Sequence, residues 1–126
     1  MGTAADGEAR FWQLADQLVR EHPIVIDRPR GSRHPRYPAN VYPLDYGYLD
    51  GTTAIDGGGV DCWRGSLAEA VVTGAIVTVD VSNADCEIKW LIGCTGGESA
   101  LALAAQRTEW QAATLIQRHD TGDTTP

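Results

Sequence analysis

Apolar residues recur at helical spacing over residues 8–21, where Phe11, Leu14, Ala15, Leu18 and Val19 share one face. Asp6 stands where an N-cap is expected, and His22-Pro23 ends the pattern, because a residue before proline disfavours helical backbone. Ile24-Val25-Ile26 is then a short apolar run that predicts a buried strand. Residues 27–36 carry prolines, a glycine and Arg28, Arg30, Arg33 and Arg36, which predicts a loop. The period changes to two over residues 74–94, the clearest hairpin of the chain. Val77, Val79 and Val81 alternate with Ile76, Thr78 and Asp80. After Asn83-Ala84, the residues Cys86, Ile88, Trp90 and Ile92 alternate with Glu87, Lys89 and Leu91. An even-length turn pairs Val81 with Cys86, Asp80 with Glu87 and Thr78 with Lys89, giving one apolar face and one charged face.

Thr95-Gly96-Gly97-Glu98 opens a second helix that runs to about Ala112, and residues 113–116 read as a last strand. Neither an internal repeat nor a linker is visible. Several short strands with two helices predict a mainly β, α+β domain over residues 1–126. Its expected form is a small OB-like β-barrel with peripheral N-terminal and C-terminal helices. Residues 1–5 and 120–126 are expected to be disordered.

Composition narrows the function classes. The chain has 126 residues, 43% of them hydrophobic, and a net charge of −7. That size suits one domain. That charge argues against wrapping a nucleic-acid backbone. No stretch reaches the length of a membrane span, and no basic-then-apolar leader is visible at the N-terminus. Three cysteines, Cys62, Cys86 and Cys94, without a Cys-x-x-Cys pair, point to free thiols in a reducing cytoplasm. An exposed apolar face on Trp90 or Trp110 would allow assembly into a homo-oligomer.

The densest chemistry lies in Asp56-Gly57-Gly58-Gly59-Val60-Asp61. Three glycines allow a tight reversal, and two carboxylates bracket it. One reading is ordinary Asp-Gly turn chemistry. The other is a pair of oxygen ligands for a hard cation such as Mg²⁺. The charged hairpin face poses the same choice: Lys89 beside Asp80 and Glu87 neutralises them, or a divalent ion does. The arginine-rich loop reads either as a solvated segment paired with surface acids or as a source of phosphate donors.

With its preceding segment, Tyr42-Pro43-Leu44-Asp45-Tyr46-Gly47-Tyr48, this block resembles the soluble family I inorganic pyrophosphatases. Those enzymes carry Tyr-Pro-x-x-Tyr-Gly-Tyr followed by Asp-x-Asp-Pro-x-Asp. Flanking likenesses extend the similarity over about residues 24–93: Ile26-Asp27-Arg28-Pro29, Arg36-Tyr37 and Glu87-Ile88-Lys89. The resemblance implies a five-stranded barrel, a Mg²⁺ site (Mn²⁺ as a substitute) and hydrolysis of pyrophosphate or a related small diphosphate to phosphate. It implies Asp56, Asp61, Glu87 and Asp27 as metal ligands, with Asp80 or Asp85 as a further one. Asp61, Asp56 and Tyr46 are then the catalytic set. Arg36, Tyr46 and Lys89 contact phosphate, with Arg30 or Arg33 replacing an arginine lost to a deletion before Tyr42. Tyr42 supports the site, and Arg118 is a candidate to approach it.

The chain departs from the pattern at the signature's centre, where Gly58 and Gly59 stand for Asp and Pro. That missing Asp serves the family by orienting or deprotonating the attacking water. The alternative to hydrolysis is therefore a pyrophosphatase-like barrel that keeps only anion or metal binding.

Overall fold

The computed structural model describes residues 3–119. Its elements are α1 (Ala4–Glu21), β1 (Ile24–Arg28), β2 (Asp45–Leu49), β3 (Val60–Arg64), β4 (Val72–Asp80), β5 (Asp85–Ile92), α2 (Gly96–Gln106) and β6 (Gln111–Gln117). The strands form one six-stranded mixed sheet in the order β1-β2-β3-β5-β4-β6. The β3–β5 pair is parallel and every other pair is antiparallel. The ladder ends at β1 and β6, so the sheet is open, unlike the expected five-stranded closed barrel. Two features account for this. The β3 strand docks on β5, leaving β4 free to take β6 on its other edge, and helices pack on both faces.

Those faces are read from the alternation of buried residues. Trp12, Ala15 and Val19 of α1 pack with Leu49, Cys62, Ala75 and Trp90. Ala102 and Leu103 of α2 pack on the opposite side with Trp63, Ile76, Leu91 and Leu115. Each helix begins at a threonine capping box, Thr3 with Asp6 and Thr95 with Glu98, which satisfies two otherwise orphaned backbone donors at each start. The α1 helix thus starts earlier than its apolar stripe suggested, and Ala4 and Ala5 are helical. Residues 1–2 and 120–126, also expected to be disordered, lie outside the described residues.

The buried stripe of α1 is rotated from the expected one. Trp12 is buried, whereas Phe11 and Leu14 are exposed. Trp12 is the larger knob, and it sets the rotation by packing edge-on against Trp90. Trp90 is therefore covered by α1, while Trp110 is exposed. The α2 helix ends at Gln106, short of the expected Ala112, and the chain then turns into β6.

The β4–β5 hairpin differs from expectation by a two-residue slip. Asp80 faces Asp85, Thr78 faces Glu87 and Ile76 faces Lys89. Asp80 anchors the turn in this shifted register. Its Oδ1 accepts from the Ser82 amide (2.9 Å), the Ser82 hydroxyl (2.7 Å) and the Asn83 amide (3.0 Å). Ala84 closes the turn at φ 54°. An even slip keeps each side chain on its face. The expected burial is nonetheless reversed along much of the hairpin: Ile76 and Thr78 are fully buried, while Val79, Val81 and Ile88 are exposed.

Candidate functional site

The strand registers bring four chemically active side chains to the α2 face of the sheet. Tyr46 faces Trp63, and Tyr48 faces Asp61, across β2 and β3. Cys62 lies beside Trp90 in the parallel β3–β5 pair, so Asp61 and Lys89, each one residue earlier, share the opposite face. Glu87 lies two residues before Lys89 on that face. Gly47 makes the arrangement possible, because a Cβ there would sit 1.8 Å from the Val25 carbonyl oxygen of the neighbouring strand.

The Tyr46 hydroxyl donates to Asp61 Oδ2 at 2.6 Å and accepts from Lys89 Nζ at 2.9 Å. Lys89 Nζ also lies 3.7 Å from Asp61 Oδ2 and 3.4 Å from Glu87 Oε2. The Lys89 side chain is only 11% exposed, whereas Asp61 and Glu87 keep 36% and 29%. The ammonium is therefore a partly sequestered donor, and both carboxylates face accessible space. Two carboxylates against one ammonium leave an excess negative charge, which favours a cation.

Tyr46 sits on an aromatic floor. Its ring meets Trp63 edge-on at 4.7 Å and Tyr42 at 5.5 Å, and Lys89 Nζ lies 5.2 Å from its centre. Burial, then the negative charge of Asp61, pushes the Tyr46 phenol far above its usual range. Tyr46 is thus a neutral hydrogen-bond donor to Asp61 and cannot act as a base at neutral pH.

The other expected residues make none of these contacts. Asp56 is exposed and its Oδ1 accepts from the Gly58 amide at 3.0 Å, with Gly57 at φ +89°, which is Asp-Gly turn geometry. Asp27 is exposed at an irregularity between β1 and β2. Asp80 belongs to its own turn. The Ser82 and Asn83 donors hold its carboxyl below the usual range, and it does not oppose Glu87. Arg30, Arg33 and Arg36 are exposed, and among the described residues none forms an ion pair with a surface acid. The Arg33 guanidinium donates to the Pro38 carbonyl at 2.9 Å, and the backbone amide of Arg30 donates to Asp45 Oδ1 at 2.8 Å. Arg118 does not approach the site. Its Nη1 lies 2.7 Å from Asp16 Oδ2 and 3.0 Å from the Val72 carbonyl, tying β6 to α1 on the other face.

Among the described residues, no three His, Cys, Asp or Glu side chains gather into a metal-holding group. The donor set still fits Mg²⁺ in the manner usual for that ion, which takes one or two carboxylates and completes its shell with water and substrate phosphate oxygens. Asp61 and Glu87 would be those two carboxylates. Arg28 was not singled out from the sequence as a site residue, yet its guanidinium carbon lies 6.0 Å from the Tyr42 ring centre. Its approach depends on the β1–β2 irregularity, which has no signal in the hydrophobic pattern.

No protein-family model matches the chain, and no curated protein matches it.

Proposed function

We propose that the chain is a Mg²⁺-dependent hydrolase of inorganic pyrophosphate or a related small diphosphate. The observation that carries this reading is the chain of contacts from Lys89 through Tyr46 to Asp61, with Glu87 alongside. It combines a phosphate-binding cation, a neutral donor and two accessible carboxylates within one small group. The likeness of residues 42–61 to the pyrophosphatase signature supports the same reading.

In this account Asp61 and Glu87 would hold Mg²⁺ together with the phosphate oxygens of the substrate. When bound, Mg²⁺ offsets phosphate charge and acidifies the attacking water. Lys89 donates to a phosphate oxygen and counters charge that builds on the leaving phosphate. Tyr46 keeps Asp61 and Lys89 in fixed relation, and the Trp63–Tyr46–Tyr42 floor excludes water from beneath them. Water adds to one phosphorus, the bridging P–O bond breaks, and two phosphates leave.

No side chain at position 58 assists deprotonation of the water, so turnover is slower than with a positioned general base by about 10²–10⁴-fold. That same glycine favours the second reading, an anion- or metal-binding module without turnover. Phosphate release from pyrophosphate, assayed with Mg²⁺, Mn²⁺ and no metal, separates the two readings. The hydrolase releases phosphate only with metal, whereas the module binds pyrophosphate and releases none.

A further inference from the structure

Arg28 differs from the other arginines of its segment. The β1–β2 register runs Ile24 to Leu49, Val25 to Tyr48 and Ile26 to Gly47, then slips so that Arg28 faces Tyr46. Asp27 is the extra residue of this bulge. Had the strand continued regularly, Asp27 would have faced Tyr46, and Arg28 would have lain on the other side of the sheet. Bulges re-aim side chains in this way beside functional sites.

The result is a half-buried guanidinium on the face that carries Tyr46, Asp61 and Lys89. It lies 6.0 Å from the Tyr42 ring centre, and Tyr42 in turn lies 5.5 Å from Tyr46. Two cations thus lie against neighbouring tyrosine rings, Lys89 against Tyr46 and Arg28 against Tyr42. Lys89 is compensated twice, by Asp61 and Glu87, whereas among the described residues no carboxylate forms an ion pair with Arg28. A half-buried cation without an acid partner is poised for an anion from solution. The loop that carries Tyr42 is fixed beside it, because His34 stacks on Tyr42 and accepts the Arg36 and Tyr37 amides at Nδ1.

We propose that Arg28 is the second phosphate-binding cation of this site, and that it selects ligands with two phosphoryl groups over those with one. The proposal rests on the pyrophosphate reading above. Lys89 offers a point charge that any phosphate satisfies. A planar guanidinium adds a bidentate grip on the second phosphoryl group.

The test is calorimetric titration of pyrophosphate and of orthophosphate, each with Mg²⁺, into the wild type, Arg28→Met, Arg28→Lys and Arg30→Met, with thermal melts as the folding control. Arg28→Met should weaken pyrophosphate binding by about 10–100-fold while changing orthophosphate binding by less than about threefold, the loss expected for hydrogen bonds to a charged group. Arg28→Lys, which keeps the charge and the stem, should fold as the wild type does and recover part of the loss. Undiminished pyrophosphate binding in Arg28→Met overturns the proposal. Equal losses in Arg28→Met and Arg30→Met also overturn it, because the effect would then be the general field of the loop. A wild-type chain that binds neither anion overturns both this proposal and the reading beneath it. Arg28-dependent binding without phosphate release overturns hydrolysis alone.

Discussion

Tyr46 and Asp61 are fifteen residues apart and share a 2.6 Å hydrogen bond, the shortest link in the charged group on the α2 face. The β2–β3 register sets it, since Asp61 faces Tyr48 and lies diagonal to Tyr46. The bond fixes one carboxylate oxygen of Asp61, whose side chain stays 36% exposed. It also holds the Tyr46 hydroxyl where Lys89 donates to it.

Asp61→Asn should preserve this geometry and remove its charge. The amide oxygen still accepts from Tyr46, so the melting temperature should change little. The concentration of Mg²⁺ needed for half-maximal phosphate release should rise at least about tenfold, the scale on which groups around a metal tune its affinity. Unchanged Mg²⁺ dependence would remove Asp61 from the ligand set.

Tyr46→Phe should cost about 1–2 kcal/mol, since Lys89 and Asp61 lose a shared hydrogen-bond partner while the aromatic floor remains. A pH effect accompanies it. Burial and Asp61 raise the folded phenol above its ordinary value of 10.0, so above that pH the unfolded chain loses a proton that the folded chain keeps. Stability present below pH 10 is therefore lost as pH rises. Thermal melts from pH 8 to pH 11.5 should show a steeper alkaline decline in the wild type than in Tyr46→Phe. Parallel curves would contradict the assignment.

Local signals in the sequence located most elements and the four residues of the charged group. Capping residues, the proline after His22 and the Val-rich alternation are short-range features, and each marked an element near its observed place. Tyr46, Asp61, Glu87 and Lys89 were legible because strand period alone puts Glu87 with Lys89, and the glycine-rich block marked Asp61. Long-range choices were not legible. The parallel docking of β3 on β5 leaves no local trace, so the sheet looked like a barrel. Thr78 read as polar and outward, yet it is completely buried. Asp80 and Asp56 read as ligands, because a carboxylate that accepts from its own turn has the same sequence as one that faces a metal. Arg28 was hidden by the bulge.

Asp80 and Glu87 should separate cleanly in a Mg²⁺ thermal-shift experiment. A ligand that binds only the folded state raises the melting temperature. Glu87→Gln should lose that increment. Asp80→Ala should lower the melting temperature by loosening the Ser82–Asn83 turn, equally with Mg²⁺ and with EDTA, and keep the increment. A wild-type melting temperature that is the same in EDTA and Mg²⁺ would leave Lys89, without a bound Mg²⁺, as the cation that neutralises Asp61 and Glu87.

Gly58→Asp should raise turnover of pyrophosphate by about 10–100-fold, part of what a positioned general base supplies. The position has room. A Cβ there meets only Asp56 Oδ1, at 3.4 Å, and the positive φ of the turn falls on Gly57. Gly59 has none, since a Cβ would lie 2.8 Å from Tyr48 Cδ2 and 3.2 Å from the Leu49 carbonyl. The carboxylate is therefore best restored alone and assayed by phosphate release against the parent. A folded Gly58→Asp chain with no gain would mean that the glycine does not limit the reaction.

The most direct test is phosphate release by the wild-type chain from pyrophosphate, followed over a Mg²⁺ titration and repeated in EDTA. Release that rises with Mg²⁺, vanishes in EDTA and falls in both Asp61→Asn and Lys89→Met is the predicted result. Pyrophosphate that binds at the Tyr46 site and is recovered intact at every Mg²⁺ concentration would contradict hydrolysis.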